Sequence, residues 1–103
     1  MKSRVSYPEP PNHIDKEGEA KDADGRVSKF TILDEICIPQ TGAPSKLIYL
    51  QRIQHASKKI ELRLCYFRIG KSGTWVFGRF ATMIPPNDYE MITNEAKRRG
   101  WIK

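Results

Sequence analysis

The sequence predicts an α+β fold, a four-stranded antiparallel β-meander followed by one C-terminal α-helix packed on the sheet. Three observations lead there. Four β-type apolar runs separated by turn chemistry occupy residues 29–83, and an amphipathic run with end signals follows to residue 99. The links between the runs are short, which favours antiparallel neighbours and a two-layer sandwich. A chain of 103 residues has room for one such core.

Residues 1–25 read as a flexible acidic arm, and residues 26–103 as a single ββββα domain. The arm carries four basic residues (Lys2, Arg4, Lys16, Lys21) and six acidic ones (Glu9, Asp15, Glu17, Glu19, Asp22, Asp24), a net of −2. It also holds Pro8, Pro10 and Pro11 and few large apolar side chains. Such a stretch buries too little surface to offset an ordering entropy of about 1–2 kcal/mol per residue. Asp24-Gly25 is the turn that ends it. The body then holds fourteen basic and six acidic residues, a net of +8 within the overall +6. The arm is either a solvated tail or an acidic segment that folds back and competes with an anionic ligand.

The first predicted strand spans Lys29 to Ile38 and stops at Pro39. After a loop through Gly42 and Pro44, the second runs from Lys46 to His55. Ala56-Ser57-Lys58-Lys59 turns the chain into the third, Ile60 to Ile69, and Gly70-Lys71-Ser72-Gly73 is a tight connection to the fourth, Thr74 to Met83. Pro85-Pro86 ends that strand, and Asn87 with Glu90 three residues on has capping-box spacing. Asp88 and Glu90 suit the positive end of a helix dipole, and Lys97, Arg98 and Arg99 suit its negative end. Gly100 fits the left-handed stop, with Trp101 as the apolar contact beyond it. Tyr89, Ile92 and Ala96 form a narrow stripe, so the helix lies on one face of the sheet and leaves the other open.

Alternate strand residues point to opposite faces. Tyr49, Gln51 and Ile53 oppose Leu50 and Arg52, and Arg63, Cys65 and Phe67 oppose Leu62, Leu64 and Tyr66. The candidate binding set is Arg52, Lys58, Lys59, Arg63, Phe67, Arg68, Lys71, Trp75, Phe77 and Arg79. Single-stranded nucleic acid needs both components of that set, cations for phosphates and flat rings for bases, each stack contributing about 1–3 kcal/mol. The same residue types also build sheet cores and protein interfaces. The expected partners are therefore single-stranded DNA or RNA, a second copy in a homodimer that covers the sheet, or another protein docking on the aromatic face.

The ββββα order, the run Lys46-Leu47-Ile48-Tyr49-Leu50, and the passage Gly78-Arg79-Phe80-Ala81-Thr82-Met83-Ile84-Pro85 into the helix carry a family resemblance. Over about residues 45–99 the chain resembles the positive-cofactor-4 type transcriptional coactivators and the Pur-alpha repeats. The resemblance implies a curved sheet, dimerisation, and single-stranded DNA or RNA on the sheet and its turns. It implies contacts at Lys58, Lys59, Arg63, Trp75 and Arg79. The Gly70–Gly73 loop is shorter than the coactivator pattern.

The sequence reads as a non-enzyme with no cofactor and no metal. Gly70-Lys71-Ser72 ends like a phosphate loop, but Cys65 stands where the first glycine belongs and a strand follows. His13, His55, Cys37 and Cys65 lack zinc-ligand spacing. Asp34, Glu35 and Glu61 make a poor nuclease set, since Asp34 and Glu35 face opposite ways in a strand. No run has the 18–20 apolar residues, roughly, of a membrane span, and the N-terminus lacks an apolar signal core. The expectation is a soluble cytoplasmic protein without a membrane partner.

Overall fold

The structure is a computed structural model and describes residues 7–103. Five strands and one helix follow in order: β1 (Glu17–Lys21), β2 (Val27–Gln40), β3 (Ala43–His55), β4 (Ile60–Ile69), β5 (Trp75–Phe77) and α1 (Pro86–Arg98). Each strand pairs antiparallel with the next, giving one meander that curls into a half-barrel with the helix on its outer face. The α+β architecture is as expected. The strand count is five rather than four.

The additional strand lies inside the segment read as an arm. Asp24-Gly25 is the turn of a hairpin and not a boundary: Gly25 sits at φ +88° and Lys21 pairs with Val27. In β1 the inward residues are Gly18 and Ala20, which give no apolar signal. They are small because Phe30, opposite Gly18, lays its ring across that strand, and a Cβ at Gly18 would collide with it. The first six residues of the expected arm lie outside the described residues.

β2 runs through Pro39 instead of ending there. Register sums place the ladder bonds to β3 on the even residues Asp34, Ile36 and Ile38, so the missing N–H of Pro39 faces the side that β1 does not reach. A register shift between Ile32 and Asp34 changes the parity of β2. Phe30 and Ile32 therefore share a face with Glu35 and Cys37. Ile36 turns to the opposite face, where Ile48 and Leu50 pack against Ile92 and Ala96 of the helix. This layer is the main core.

The last expected strand shortens to Trp75–Phe77. Gly78 donates its N–H to Tyr66 and is pressed beneath that ring, where a Cβ has no room, and the chain then leaves the sheet for the helix. The helix begins one residue before the expected cap. Pro85 is the N-cap, Pro86 opens the helix, and Asn87 caps nothing. Asp88 does more than face the dipole. It is 1% exposed, and its carboxylate accepts the backbone N–H of Thr41 at 2.8 Å and the Thr41 hydroxyl at 2.6 Å, tying the helix to the β2–β3 turn. Asp88→Ala leaves both donors unpaired and is expected to cost about 2–3 kcal/mol in urea denaturation, with Thr41→Val costing less because the backbone N–H keeps its acceptor. The far end matches expectation: Gly100 at φ +79° and Trp101 donate to Lys97 and Ala96 in a Schellman stop.

Candidate functional site

The inner face of the half-barrel is lined by alternate residues of β2 to β5. Its centre is Tyr49, fully buried, with Phe67 edge-on at 5.2 Å and Phe77 edge-on to Phe67 at 5.4 Å. The curl of the sheet brings the Arg63 guanidinium over two rings from opposite sides, Phe30 at 5.3 Å and Phe77 at 4.9 Å.

Across this face lies the chain's own N-terminal segment, residues 8–13. The Trp75 indole donates to the carbonyl of Pro8 at 2.9 Å, and the Tyr49 hydroxyl donates to the carbonyl of Pro11 at 2.7 Å. Burial holds Tyr49 well above the usual phenol range, and its side-chain bond to Cys37 adds to this, so the hydroxyl stays a donor. His13 stacks on Phe67 at 4.8 Å and meets Tyr49 edge-on at 5.0 Å. The Asp15 turn, at φ +71°, then carries the chain into β1. This strap was invisible to composition because its anchors are carbonyl groups, which every sequence has. Its legible part was the spacing of Pro8 and Pro11, which holds the chain extended.

Beneath the strap runs a polar chain. Glu35 accepts the His13 backbone N–H at 2.8 Å, contacts the His13 ring at 3.0 Å, and accepts the Gln51 amide at 3.0 Å. Gln51, 1% exposed, accepts in turn from Arg63 at 2.9 Å and from the Cys65 thiol at 3.7 Å. Burial pushes the Cys65 thiol up to about 11, so it is protonated at neutral pH and no nucleophile.

The ten sequence-derived site residues divide into groups. Arg63, Phe67, Trp75 and Phe77 converge on the inner face. Arg52 and Arg68 share the outer, helix-bearing face with Leu50 and Tyr66. Lys58 and Lys59 are exposed at the β3–β4 turn, where Lys59 lies 3.6 Å from Glu61. Lys71 is exposed in the β4–β5 turn, and Arg79 is exposed beyond β5. Sequence reasoning did not find His13, Glu35 and Gln51 as partners.

Asp34 and Glu35 do face opposite ways, Asp34 toward Arg99 at 3.2 Å and Glu35 toward His13. Among the described residues no group of three histidine, cysteine or acidic side chains is placed to hold a metal ion, and no helix is long and apolar enough to cross a membrane. The chain matches no protein-family model, no curated protein and no solved structure.

Proposed function

We propose that this protein is an interaction module whose aromatic inner face receives an extended, proline-containing segment, and that its own residues 8–13 occupy the groove in the absence of a partner. The observation that carries this is the pair of side-chain donors, Trp75 and Tyr49, aimed at the carbonyls of Pro8 and Pro11. Extended proline-rich chains are read in this way, by aromatic grooves whose donors take main-chain carbonyls that lack internal partners. The stiff segment loses little entropy on docking. A tethered strap competes at an effective concentration in the millimolar range, roughly, so partners succeed only with additional contacts.

The test uses a chain that begins at Ile14 and a synthetic peptide of residues 1–13. The peptide is expected to bind, raise the melting temperature of the shortened chain and shift the fluorescence of Trp75. Should the shortened chain not fold alone, the peptide is expected to restore it. A folded, shortened chain that ignores the peptide overturns the reading.

A second reading, single-stranded nucleic acid on the same face, is supported by the convergence of Arg63, Phe67, Trp75 and Phe77 in a body of net charge +8. It requires the strap to leave, since Tyr49 is fully buried and Phe67 is stacked on His13. The shortened chain is then expected to bind single-stranded oligonucleotides with log K falling linearly in log salt, by about 0.7 per phosphate contact. Equal binding by the full chain and the shortened chain would argue against this face.

A further inference from the structure

β4 is only partly covered by its neighbour. β5 pairs with Phe67 to Ile69, and the edge of β4 from Ile60 to Cys65 has no strand beside it among the described residues. The bond from His55 to Lys59 shows that odd-numbered residues of β4 hydrogen-bond with β3. The N–H and C=O groups of Ile60, Leu62 and Leu64 therefore point outward, as those of Tyr66 do toward Gly78. Residues 60–65 contain no proline, no lysine and no bulge, their charges are one acid and one base, and Ile60 and Leu62 are 40% and 37% exposed.

The edge is also complementary to itself. Its sequence, Ile60-Glu61-Leu62-Arg63-Leu64, alternates apolar residues on the helix side with one acid and one base on the inner side. Aligned antiparallel with an identical strand about Leu62, Ile60 of one copy meets Leu64 of the other. Glu61 of each copy meets Arg63 of the other, twice. The outward groups of Ile60, Leu62 and Leu64 then fall into hydrogen-bonded pairs, and the charged pairs occupy the non-hydrogen-bonded positions where side chains approach most closely. Moving the two-fold axis by one residue keeps the bonding parity but sets Glu61 against Glu61 or Arg63 against Arg63. Like charges directly opposite are unfavourable, so the charges select one register. Both charges already have partners within the chain, Glu61 at His55 (2.7 Å) and Lys59 (3.6 Å) and Arg63 at Gln51, Phe30 and Phe77. The intermolecular pairs draw on the remaining carboxylate lone pairs and guanidinium N–H donors.

An open apolar groove adjoins the edge on the helix side, about 320 Å³ between Leu62, Leu64, Tyr89, Ile92 and Ile102. Two such grooves come together across the axis. We propose that two copies of this chain associate through Ile60–Leu64 of β4, in the register centred on Leu62, and so join two half-barrels into one continuous sheet. The backbone pairing uses no atom of the strap, although Arg63 is linked to it through Gln51 and Glu35.

The test is sedimentation equilibrium of the full chain from micromolar to near-millimolar concentration, with amide hydrogen exchange on the same samples. The expected result is a species of twice the 11.9 kDa chain mass, with the amides of Ile60, Leu62 and Leu64 protected as it forms. Leu62→Lys is expected to give a folded monomer in which those amides exchange freely. Glu61→Arg, which sets like charges opposite in the same register, is expected to weaken association about tenfold or more. A wild-type chain that stays monomeric overturns the proposal. A dimer that leaves those three amides unprotected, or that survives Leu62→Lys unchanged, overturns it equally.

Discussion

Tyr49→Ala is expected to lose about 3–5 kcal/mol of folding stability, the range for truncating a large buried aromatic side chain. Tyr49 has no exposed surface and packs with Leu47 and Cys65 beneath the strap. Its removal opens a void under Phe67 and His13 and deletes the anchor of Pro11 together. Against a total of about 5–15 kcal/mol for a domain, this loss is large enough to leave the protein partly unfolded at room temperature. Tyr49→Phe separates the two contributions. The ring stays, the hydroxyl's bonds to Pro11 and Cys37 go, and the expected loss is about 1–2 kcal/mol. Urea midpoints for the two variants check this. If Tyr49→Phe proves as damaging as Tyr49→Ala, the hydroxyl rather than the ring holds the inner face together.

Gln51→Leu is the second large effect, expected at about 2–4 kcal/mol despite conserving volume and adding apolar character. The amide joins a carboxylate to a guanidinium: it donates to Glu35 and accepts from Arg63 and Cys65. A leucine leaves a half-buried acid and a half-buried base each short of a partner, and hydrogen bonds to charged groups contribute more than neutral ones. Glu35 also holds the backbone and ring of His13, so loosening it loosens the strap. Thermal denaturation measures the loss, and a red shift of Trp75 emission reports strap release. Gln51→Glu provides the contrast, since it keeps the acceptor for Arg63 but repels Glu35. A nearly unchanged melting temperature for Gln51→Leu would mean that water substitutes for the amide in this network.

What the sequence made legible was what is periodic and local. The span of β4 coincides with its expected Ile60–Ile69, and that of β3 differs only by three residues at its start. The helix terminus at Gly100 followed from local chemistry. The unread parts depend on pairs distant in sequence. Gly18 is a strand residue because of Phe30, and Gly78 ends a strand because of Tyr66. Asp88 is buried because Thr41, forty-seven residues earlier, supplies two donors. In the candidate site, alternation within each strand is legible but the register between strands is not. It is the pairing of Gln51 with Arg63 and of Arg52 with Leu62 that puts the two arginines on opposite faces. The strap is not legible in composition, because the aromatic face supplies the contacts that this polar segment itself lacks.

The unbroken order of the meander has a kinetic consequence. Each strand pairs only with its neighbours in sequence, so the sheet grows by successive hairpins and its loop-closure costs stay small. The distant closures dock the helix, at Thr41–Asp88 and Asp34–Arg99, and the strap, whose contact from Pro8 to Trp75 spans sixty-seven residues. Trp75 stands at the strap, and Trp101 packs at the other end of the helix from the Thr41 latch, beyond the Gly100 stop. In refolding, the sheet is expected to form before the helix and the strap dock, with changes in Trp101 and Trp75 emission marking those last steps. The same order in reverse makes the strap the first element to open, so the aromatic face is uncovered without unfolding of the strands beneath it.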